Sequence, residues 1–480
     1  MADNDCDLIF INREQSVMSI VDVEQLIPAS HPARLFWDIT GKLDLRAYYD
    51  TIKSKRGGAG RPTFDPRLLI TVWLYAYQRG IGSAREIERM CDSDPGMRWL
   101  TALKPINHHS LSDFRVEHDE ALKGLFEQVL GMLLLEKLIQ LERVTQDGTK
   151  ILARVRNNSF RREGRLREHL EAARKHIAEM GDPRANPSRR PSAQERAAQQ
   201  RAAQERANKL KAALEEIAKL RTRNNRQEEK EPQVSETDPE ARFMRTKTHG
   251  VAPCYNVQIT TDCANGLIVD IHTTNAENDA QQLLPAMDRV ETVTGHKPQQ
   301  VIADGDYTNY ATVNAMAERK IDFYGSWNTT TQKQDAFSRS RFQWDAGQNQ
   351  FVCPEGKLLR QVAVQNTGTI LIYRAANGEC SKCPHRAACC GENQKSDRSV
   401  SRRVDDAAVA AFKTKMAQKT AREIYRTRSA VAEFPNLWIK AKFRLRQFQT
   451  QGLKKAGIEV RWAALTYNLQ RYFQLRTLAV

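Results

Sequence analysis

The chain has 480 residues, 40% of them hydrophobic, so it is long enough for two or three domains that each bury a core. Lysine and arginine outnumber aspartate and glutamate by 74 to 58, and the formal charge of +16 favours nucleic acid over a neutral small molecule as a partner. The longest apolar run, 68–77, is too short to span a membrane, and the N-terminus lacks the features of a secretory signal. We therefore expect a cytoplasmic protein with no membrane partner, whose nine cysteines are reduced or metal-bound.

Residues 36–138 have the pattern of helices separated by short polar breaks. Pro66 fits the first turn of one helix and Gly80 ends it, while the capping-box pattern from Ser83 to Glu86 predicts the start of the next. Two helices joined by a short glycine-containing turn resemble a helix-turn-helix. The pattern predicts an all-α, DNA-binding N-terminal domain over residues 1–140.

Residues 161–231 are rich in Arg, Glu, Ala, Gln and Lys. Apolar residues recur at helical spacing from Leu166 to Met180 and from Leu210 to Ile217, on either side of the helix-breaking sequence GDPRANPSRRPS. This pattern predicts a basic helical hairpin, to which we assign residues 161–240. A solvated, disordered linker is the alternative.

Strand patterns alternate with helical ones in the middle of the chain, which indicates an α/β core. We predict strands at 144–146, 255–261, 267–273, 300–303 and 321–325, and helices at 279–293 and 310–318. The core then comprises 141–160 and 241–331, and the helical hairpin is inserted after its first strand. Residues 401–480 complete it with long helices at 414–429, 432–451 and 458–476.

Two aspartates follow predicted strands, Asp147 in TQDGTK and Asp304 in QQVIADGDY. The carboxyl ends of neighbouring strands converge in an α/β sheet, so the two side chains could lie close together. Clustered carboxylates repel each other unless a cation bridges them, and oxygen ligands suit Mg²⁺ or Mn²⁺, which promote phosphodiester chemistry. Each aspartate could instead cap a turn or a helix.

A late helix carries Glu433, with Arg428 upstream and Lys440 seven residues downstream, two turns along the same predicted face. A carboxylate that faces a metal, flanked by cations that face phosphates, would suit a nuclease. An exposed helix with surface salt bridges is the alternative.

Several of these motifs together resemble insertion-sequence transposases of the DDE class. They are DGTK at Asp147, YNVQITTD at 255–262, ADGDY at 303–307, and Tyr425-x-x-Arg428 followed by Glu433 and Lys440. Arg61-Pro62 with FDPRLLITVWLYAYQRGIGSAREIE is similar to the helical N-terminal domain of these enzymes, and ARFMRTKTHG to their linker into the second strand.

The resemblance implies an α/β RNase H-like catalytic core, Mg²⁺ or Mn²⁺ held by Asp147, Asp304 and Glu433, and cleavage of DNA at element ends followed by transfer of the 3′ ends to target DNA. It also implies DNA contacts by Tyr425, Arg428 and Lys440, a bacterial, nucleoid-associated protein, and a homodimer or higher oligomer on DNA. Asp306 is the alternative to Asp304 as the second acid. A nuclease without strand transfer and a catalytically silent DNA-binding protein are the alternative functions.

Cysteines cluster in the segment 332–400, to which we assign a cysteine-rich insertion. A C-x₂-C pair with two further sulfurs fits a closed tetrahedral zinc site, so we predict a structural Zn²⁺. Its ligands would be Cys353, Cys380, Cys383 and either Cys389 or Cys390, with His385 as a competing ligand and free thiols as the alternative. The cysteines at positions 6, 91, 254 and 263 are isolated and are interpreted as small buried hydrophobic residues.

Overall fold

A computed structural model gives the structure of residues 14, 16, 18, 20–52, 63–180, 192–223, 231–327, 337–365, 369–391 and 396–478. The chain forms two compact units. One, the helical unit, combines the chain up to Val129 with the chain from Ile439 onward, and the other, the sheet unit, runs from Leu130 to Trp438. In these residue ranges no helix is both long and apolar enough to cross a membrane.

The α-helices are α1 Pro32–Thr40, α2 Arg46–Tyr49, α3 Pro66–Gln78, α4 Ala84–Ser93, α5 Pro95–Leu100, α6 His108–Glu117, α7 Asp119–Leu135, α8 Glu163–Met180, α9 Ala193–Arg223, α10 Leu283–Thr294, α11 Tyr310–Glu318, α12 Arg386–Cys390, α13 Ala407–Ala417, α14 Lys419–Leu437 and α15 Leu453–Leu478. The strands are β1 Arg143–Leu152, β2 Phe160–Arg161, β3 Val234–Ser235, β4 Arg242–Thr246, β5 Gly250–Asp262, β6 Ile268–Thr274, β7 Gln300–Ala303, β8 Asp322–Gly325, β9 Gln343–Asp345, β10 Gln350–Val352, β11 Leu358–Gln365, β12 Ile370–Ala375 and β13 Ser399–Arg403.

Helix α3 forms the centre of the helical unit. Pro66 stands at its first position, where a missing N–H costs nothing, and Gly80 follows its end with a positive φ of 72°. The next helix, α4, begins after Ser83 as expected, but the Ser83 side chain makes no capping hydrogen bond. The capping-box interpretation was therefore wrong, although the helix boundary was right.

The last helix, α15, also belongs to the helical unit, where it packs against α3. Trp462 of α15 is 1% exposed, and its indole Nε1 donates to the backbone carbonyl of Arg115 at 3.4 Å. The assignment of residues 401–480 to the catalytic core is therefore wrong from Ile439 onward, because a long apolar helix pattern does not identify the surface on which the helix packs. Burial of Trp462 against α6 shows where the end of the chain packs.

The main sheet of the second unit has the strand order β4-β5-β1-β7-β8, with β6 also paired to β5. Strand β5 runs antiparallel to β1, whereas β7 is parallel to β1 and β8 is parallel to β7. β1 is longer than predicted because β5 pairs with it as far as Leu152. Asp147 therefore lies inside β1 and does not follow it, which corrects the sequence-based placement.

The region between β1 and β4 contains a helical hairpin of α8 and α9. Apolar residues of the two predicted stripes, together with Ala207 of α9 and Val234 of β3, form one small buried cluster, which comprises Leu166, Leu170, Ala173, Ala207, Leu210, Ala213, Ile217 and Val234. The breaker-rich sequence between the helices lies almost entirely outside the described residues. The packed leucines favour the hairpin over the disordered linker.

A second, antiparallel sheet with the order β13-β12-β11-β10-β9 follows β8. One of its faces covers a core that includes Phe342, Phe351, Leu359, Tyr373 and Val400, with Cys353, Cys380 and Cys389 packed at its margin. The sequence pattern did not predict this sheet, because turn residues and cysteines are frequent throughout the segment.

The helices near the end of the sheet unit break at positions different from those predicted. α13 ends at Ala417 and α14 at Leu437, and a π-helical turn at Trp438–Lys442 replaces the continuous helix expected to Gln451. Pro435 lies inside α14. Its nitrogen has no hydrogen to donate to the carbonyl of the preceding turn, and its ring crowds that carbonyl. The wider π-helical turn also breaks the spacing that placed Glu433 and Lys440 on one helical face.

Candidate active site

Asp147 within β1 and Asp304 just after β7 lie at the same end of the parallel pairing between these two strands. The parallel pairing runs to Gln146 opposite Ala303, and each aspartate is the next residue along the chain. Asp306, the alternative second acid, is exposed, and its backbone N–H donates to Asp304 Oδ1 at 2.9 Å. The sheet register thus brings Asp304 beside Asp147.

Both carboxyl groups are difficult to ionise in this position. Burial raises the pKa of Asp147 to about 6; Arg428 opposes this rise, and the charges of Asp304 and Asp279 add to it. Burial is also the main reason why the pKa of Asp304 is raised. Buried carboxyls that disfavour each other's charge are a typical setting for a cation or for proton transfer.

Helix α14 places two side chains against Asp147. Arg428 Nη1 lies 3.7 Å from Asp147 Oδ1, and Asn436 Nδ2 donates to Asp147 Oδ2 at 2.7 Å. Asn436 Oδ1 is buried and accepts no hydrogen bond from the residues that the structure describes. The site therefore contains one side-chain oxygen that is withdrawn from water and still available as an acceptor.

Within the described part of the chain, no hydrogen bond or ion pair joins the two aspartates to the predicted site residues Glu433 and Tyr425. Glu433 is exposed on α14, and its side chain forms no hydrogen bond or ion pair with any residue that the structure describes. Tyr425 packs against the buried cluster of Ile302, Tyr324 and Ala421. Lys440 lies in the π-helical turn and belongs to the helical unit.

A buried polar network supports the two aspartates from within the sheet. Asn256, Gln258 and Thr260 alternate along β5 and are fully buried. Gln258 Oε1 accepts hydrogen bonds from Gln146 Nε2 at 2.9 Å and from the Tyr307 hydroxyl at 2.6 Å. The polar alternation in YNVQITTD was the sequence signal for this network, because a buried strand seldom carries polar residues at every second position.

Asp279 is a further acid of the site that the sequence interpretation missed. It is 9% exposed and accepts hydrogen bonds from Asn256 Nδ2 at 2.5 Å, Gln258 Nε2 at 2.7 Å and Lys150 Nζ at 3.3 Å. A Cβ atom on Gly148 would lie 2.7 Å from Gln258 Nε2 and 2.8 Å from Asp279 Oδ1. Glycine is therefore required after Asp147 for β1 to approach this network.

The cysteine-rich region brings its sulfurs around one small cavity of about 30 Å³, lined by Cys353, Cys380, Cys383, Cys389 and Cys390 among others. Backbone N–H groups of Lys357 and Arg398 donate to Cys353 Sγ at 3.2 Å and Cys380 Sγ at 3.3 Å. Burial raises the pKa of Cys389 to about 11.

His385, the competing ligand, lies 3.5 Å from a Glu355 carboxylate oxygen through its Nε2. Of the isolated cysteines, Cys91 and Cys254 are buried as expected and Cys263 is partly buried, while Cys6 lies outside the described residues. Within the described ranges, no three His, Cys, Asp or Glu side chains are arranged as a ready metal site, either here or at the aspartates.

Two family models match the chain, and both describe transposases. The model "Transposase domain (DUF772)" matches residues 21–117, and "Transposase DDE domain" matches residues 352–473. No curated protein and no solved structure matched the chain. The matches confirm that the chain is a relative of insertion-sequence transposases of the DDE class. Glu433 lies within the DDE match, and Asp147 and Asp304 lie outside both matches.

Proposed function

We propose that this protein cuts DNA at the ends of an insertion sequence and joins the 3′ ends to target DNA, with Asp147, Asp304 and Glu433 as catalytic residues. The convergence of Asp147 and Asp304 at one end of the β1–β7 pair carries the proposal. The central β1, with an antiparallel hairpin on one side and parallel strands on the other, supports an RNase H-like core.

The residues present fit a divalent cation such as Mg²⁺ or Mn²⁺. Asp147 and Asp304 are buried carboxyls whose ionised forms are only partly compensated, since burial still raises both pKa values, and the orphan oxygen of Asn436 lies beside Asp147. When bound there, the ion would supply charge neutralisation and an activated nucleophile for phosphodiester cleavage. We assign Glu433, one turn before Asn436 on α14, to the same ligand set.

The protein's own side chains would position the reaction. The Gln146–Gln258–Tyr307 network holds β1 and β5 in register behind Asp147, and Asn436 orients its carboxylate. Arg428 already faces this carboxylate, and we propose that it contacts a phosphate when DNA is bound. Tyr425 and Lys440 are also proposed to contact DNA.

The test is nicking and joining of DNA from the element's own ends with Mg²⁺, with products mapped at nucleotide resolution. Replacing Asp147 or Asp304 by asparagine, or Glu433 by glutamine, should reduce both steps at least about a hundredfold, because metal placement supplies several kcal/mol of transition-state stabilisation. Asp306→Asn is the matched control and should retain most activity.

The outcomes separate the alternatives. Loss of activity in Asp306→Asn with activity retained in Asp304→Asn would move the second acid by two positions. Nicking without joining of a pre-cut 3′ end to a plasmid would indicate a nuclease alone. Activity in all four variants would refute the carboxylate assignment, and a wild-type protein that binds DNA without nicking it would be a silent DNA-binding protein.

We also propose that Cys353, Cys380, Cys383 and Cys389 hold one structural Zn²⁺. The shared cavity and the N–H groups directed at two of the sulfurs support this, since such hydrogen bonds stabilise thiolates. Metal analysis after washing with chelator should find about one equivalent of zinc, and a Cys380→Ser, Cys383→Ser variant should lose it and unfold more easily. Absence of zinc from the wild-type protein, or unchanged zinc in this variant, contradicts the site.

We further propose that the helical unit recognises the element ends through α4. Arg85 and Arg89 lie one turn apart on α4, and both are exposed. A helix that follows a short turn can enter the major groove, where arginine reads guanine edges. We also propose that the protein forms a homodimer or higher oligomer on DNA, which would bring two element ends together.

A further inference from the structure

A row of polar residues crosses the five-stranded sheet at one level. Read from β9 to β13, the residues in register are Asp345, Gln350, Arg360, Arg374 and Ser399. Arg360 and Arg374 stand directly opposite each other on neighbouring strands, and both are exposed. Side chains in this relation have Cβ atoms about 5 Å apart, and like charges there destabilise a sheet. The stability of the sheet therefore does not explain why Arg360 and Arg374 face each other.

Nearby acids do not neutralise the two arginines. Within the described part of the chain, no carboxylate lies within ion-pair distance of Arg360 or Arg374. At the edge of the row, Asp345 Oδ1 accepts backbone N–H groups of Gly347 at 3.0 Å and Gln348 at 3.2 Å. The Asp397 carboxylate, near the other edge, similarly accepts the backbone N–H groups of Gly378 and Cys380.

The arginine pair lies on the face of the sheet opposite to its core. Leu359 and Tyr373, the adjacent residues on β11 and β12, are fully buried, and side chains alternate between the two faces of a strand. The arginines line an open hollow of about 640 Å³ together with Lys357, Asn377, Glu379 and Asp397, among others. Cations that line an accessible hollow are placed to receive an anion.

We propose that three cations, Lys357, Arg360 and Arg374, bind the phosphate backbone of double-stranded DNA. We call these three residues the basic row. The choice of DNA as the occupant rests on the proposed transposase function; the anionic character of the occupant rests on the unneutralised arginine pair. Guanidinium groups form bidentate hydrogen bonds with phosphate oxygens, and both arginines lie on strands and not on a helix or loop that could enter a groove. The contact should therefore be independent of base sequence.

The experiment measures binding of full-length protein to a labelled DNA duplex in EDTA, by fluorescence anisotropy over a range of KCl concentrations. An Arg360→Gln, Arg374→Gln variant should bind about tenfold or more weakly at about 0.1 M salt, and its log–log salt slope should fall by up to about 2, because each lost phosphate contact removes about 0.9. The loss should be the same for element-end and scrambled duplexes.

Two control variants keep the result specific. Lys297→Gln with Arg319→Gln removes the same charge from cations that are already paired with Glu291 at 3.6 Å and Asp288 at 2.6 Å, and should bind normally. Arg360→Lys with Arg374→Lys keeps the charge and should retain the salt slope. Neither glutamine substitution should lower the melting temperature, because both relieve repulsion.

Unchanged affinity and salt slope in the double glutamine variant would overturn the proposal, as would an equal loss in the paired-cation control, which would reflect net charge alone. Tighter binding of duplex RNA than of DNA, lost in the same variant, would overturn the choice of DNA. If the wild-type protein binds DNA through this row but does not nick it with Mg²⁺, the catalytic proposal fails and this one stands. If it nicks DNA and the glutamine variant binds normally, only this one fails.

Discussion

Replacing Asp147 by asparagine removes a buried negative charge and keeps the size of the side chain. The Asp147 side chain is 16% exposed, and its pKa is raised from the ordinary 3.8 to about 6. Each unit of pKa corresponds to about 1.4 kcal/mol, so ionised Asp147 lowers the free energy of unfolding by about 3 kcal/mol at neutral pH. In the absence of divalent cations, Asp147→Asn should therefore be more stable than the wild type.

The gain has a defined pH dependence. Because the folded-state pKa lies above the unfolded one, the folded wild type binds the extra proton between about pH 4 and 6 and loses stability as pH rises through this window. The advantage of the variant should be about 1–3 kcal/mol at pH 7.5, after allowance for the weakened contact with Arg428, and should shrink to about half at pH 5.

Urea unfolding in EDTA at pH 5 and 7.5, followed by tryptophan fluorescence, measures this difference. Adding Mn²⁺ should reverse the order at neutral pH, because a cation that binds only the folded wild type stabilises it by mass action. A variant that is less stable than the wild type at pH 7.5 in EDTA, or a difference that does not change with pH, would refute the assignment of Asp147 as a buried carboxylate whose charge is only partly compensated.

Further substitutions test the surroundings of the site and the proposed DNA-recognition helix α4. Gly148→Ala should cost about 1–3 kcal/mol of unfolding free energy and most of the nicking activity, because its Cβ would collide with Gln258 and Asp279, whereas Gly164→Ala, which meets no atom within 4 Å, should be neutral or stabilising in the same denaturation assay. Asn436→Leu should weaken Mn²⁺ binding about 10–100-fold by isothermal titration, since it removes the partner that orients Asp147, and Mn²⁺ affinity equal to wild type would remove that role. Alanine at both Arg85 and Arg89 should weaken binding to an element end more than to scrambled DNA in a gel-shift assay, and equal losses would mean that α4 contacts only phosphates.

The sequence pattern predicted the bounds of those helices and strands that depend mainly on their own residues. β7 and α11 have the predicted bounds, Gln300–Ala303 and Tyr310–Glu318. The helix expected from Asp279 begins only at Leu283, because hydrogen bonds from β5 hold Asp279 in the preceding loop. Where a distant strand supplies the partners, as at Asp279, the local pattern could not locate the boundary.

The candidate site was predictable in part for the same reason. Asp147 and Asp304 could be identified because each sits at a strand in a motif of its own, whereas Asn436 has no local signal. It reaches Asp147 only through the fold, across 289 positions of sequence. The exposure of Glu433 could likewise not be predicted from the helical pattern, since periodicity shows which residues share a face but not whether that face points to the site or to solvent.

The two compact units are interleaved along the chain, and this order constrains synthesis. The helical unit needs α15 to cover α3, and the sheet unit lacks α14 until residue 437 has been added. A polypeptide emerges from the ribosome with its N-terminal end first, so the helices that precede β1 must wait for residues 453–478 before α3 is covered, whereas the sheet unit has all of its residues once Trp438 has been added. A chain that stops before α14, through a nonsense codon or a frameshift, carries an uncovered α3 and no side chain from α14 at Asp147. A chain that stops between α14 and α15 contains the whole sheet unit but leaves α3 uncovered.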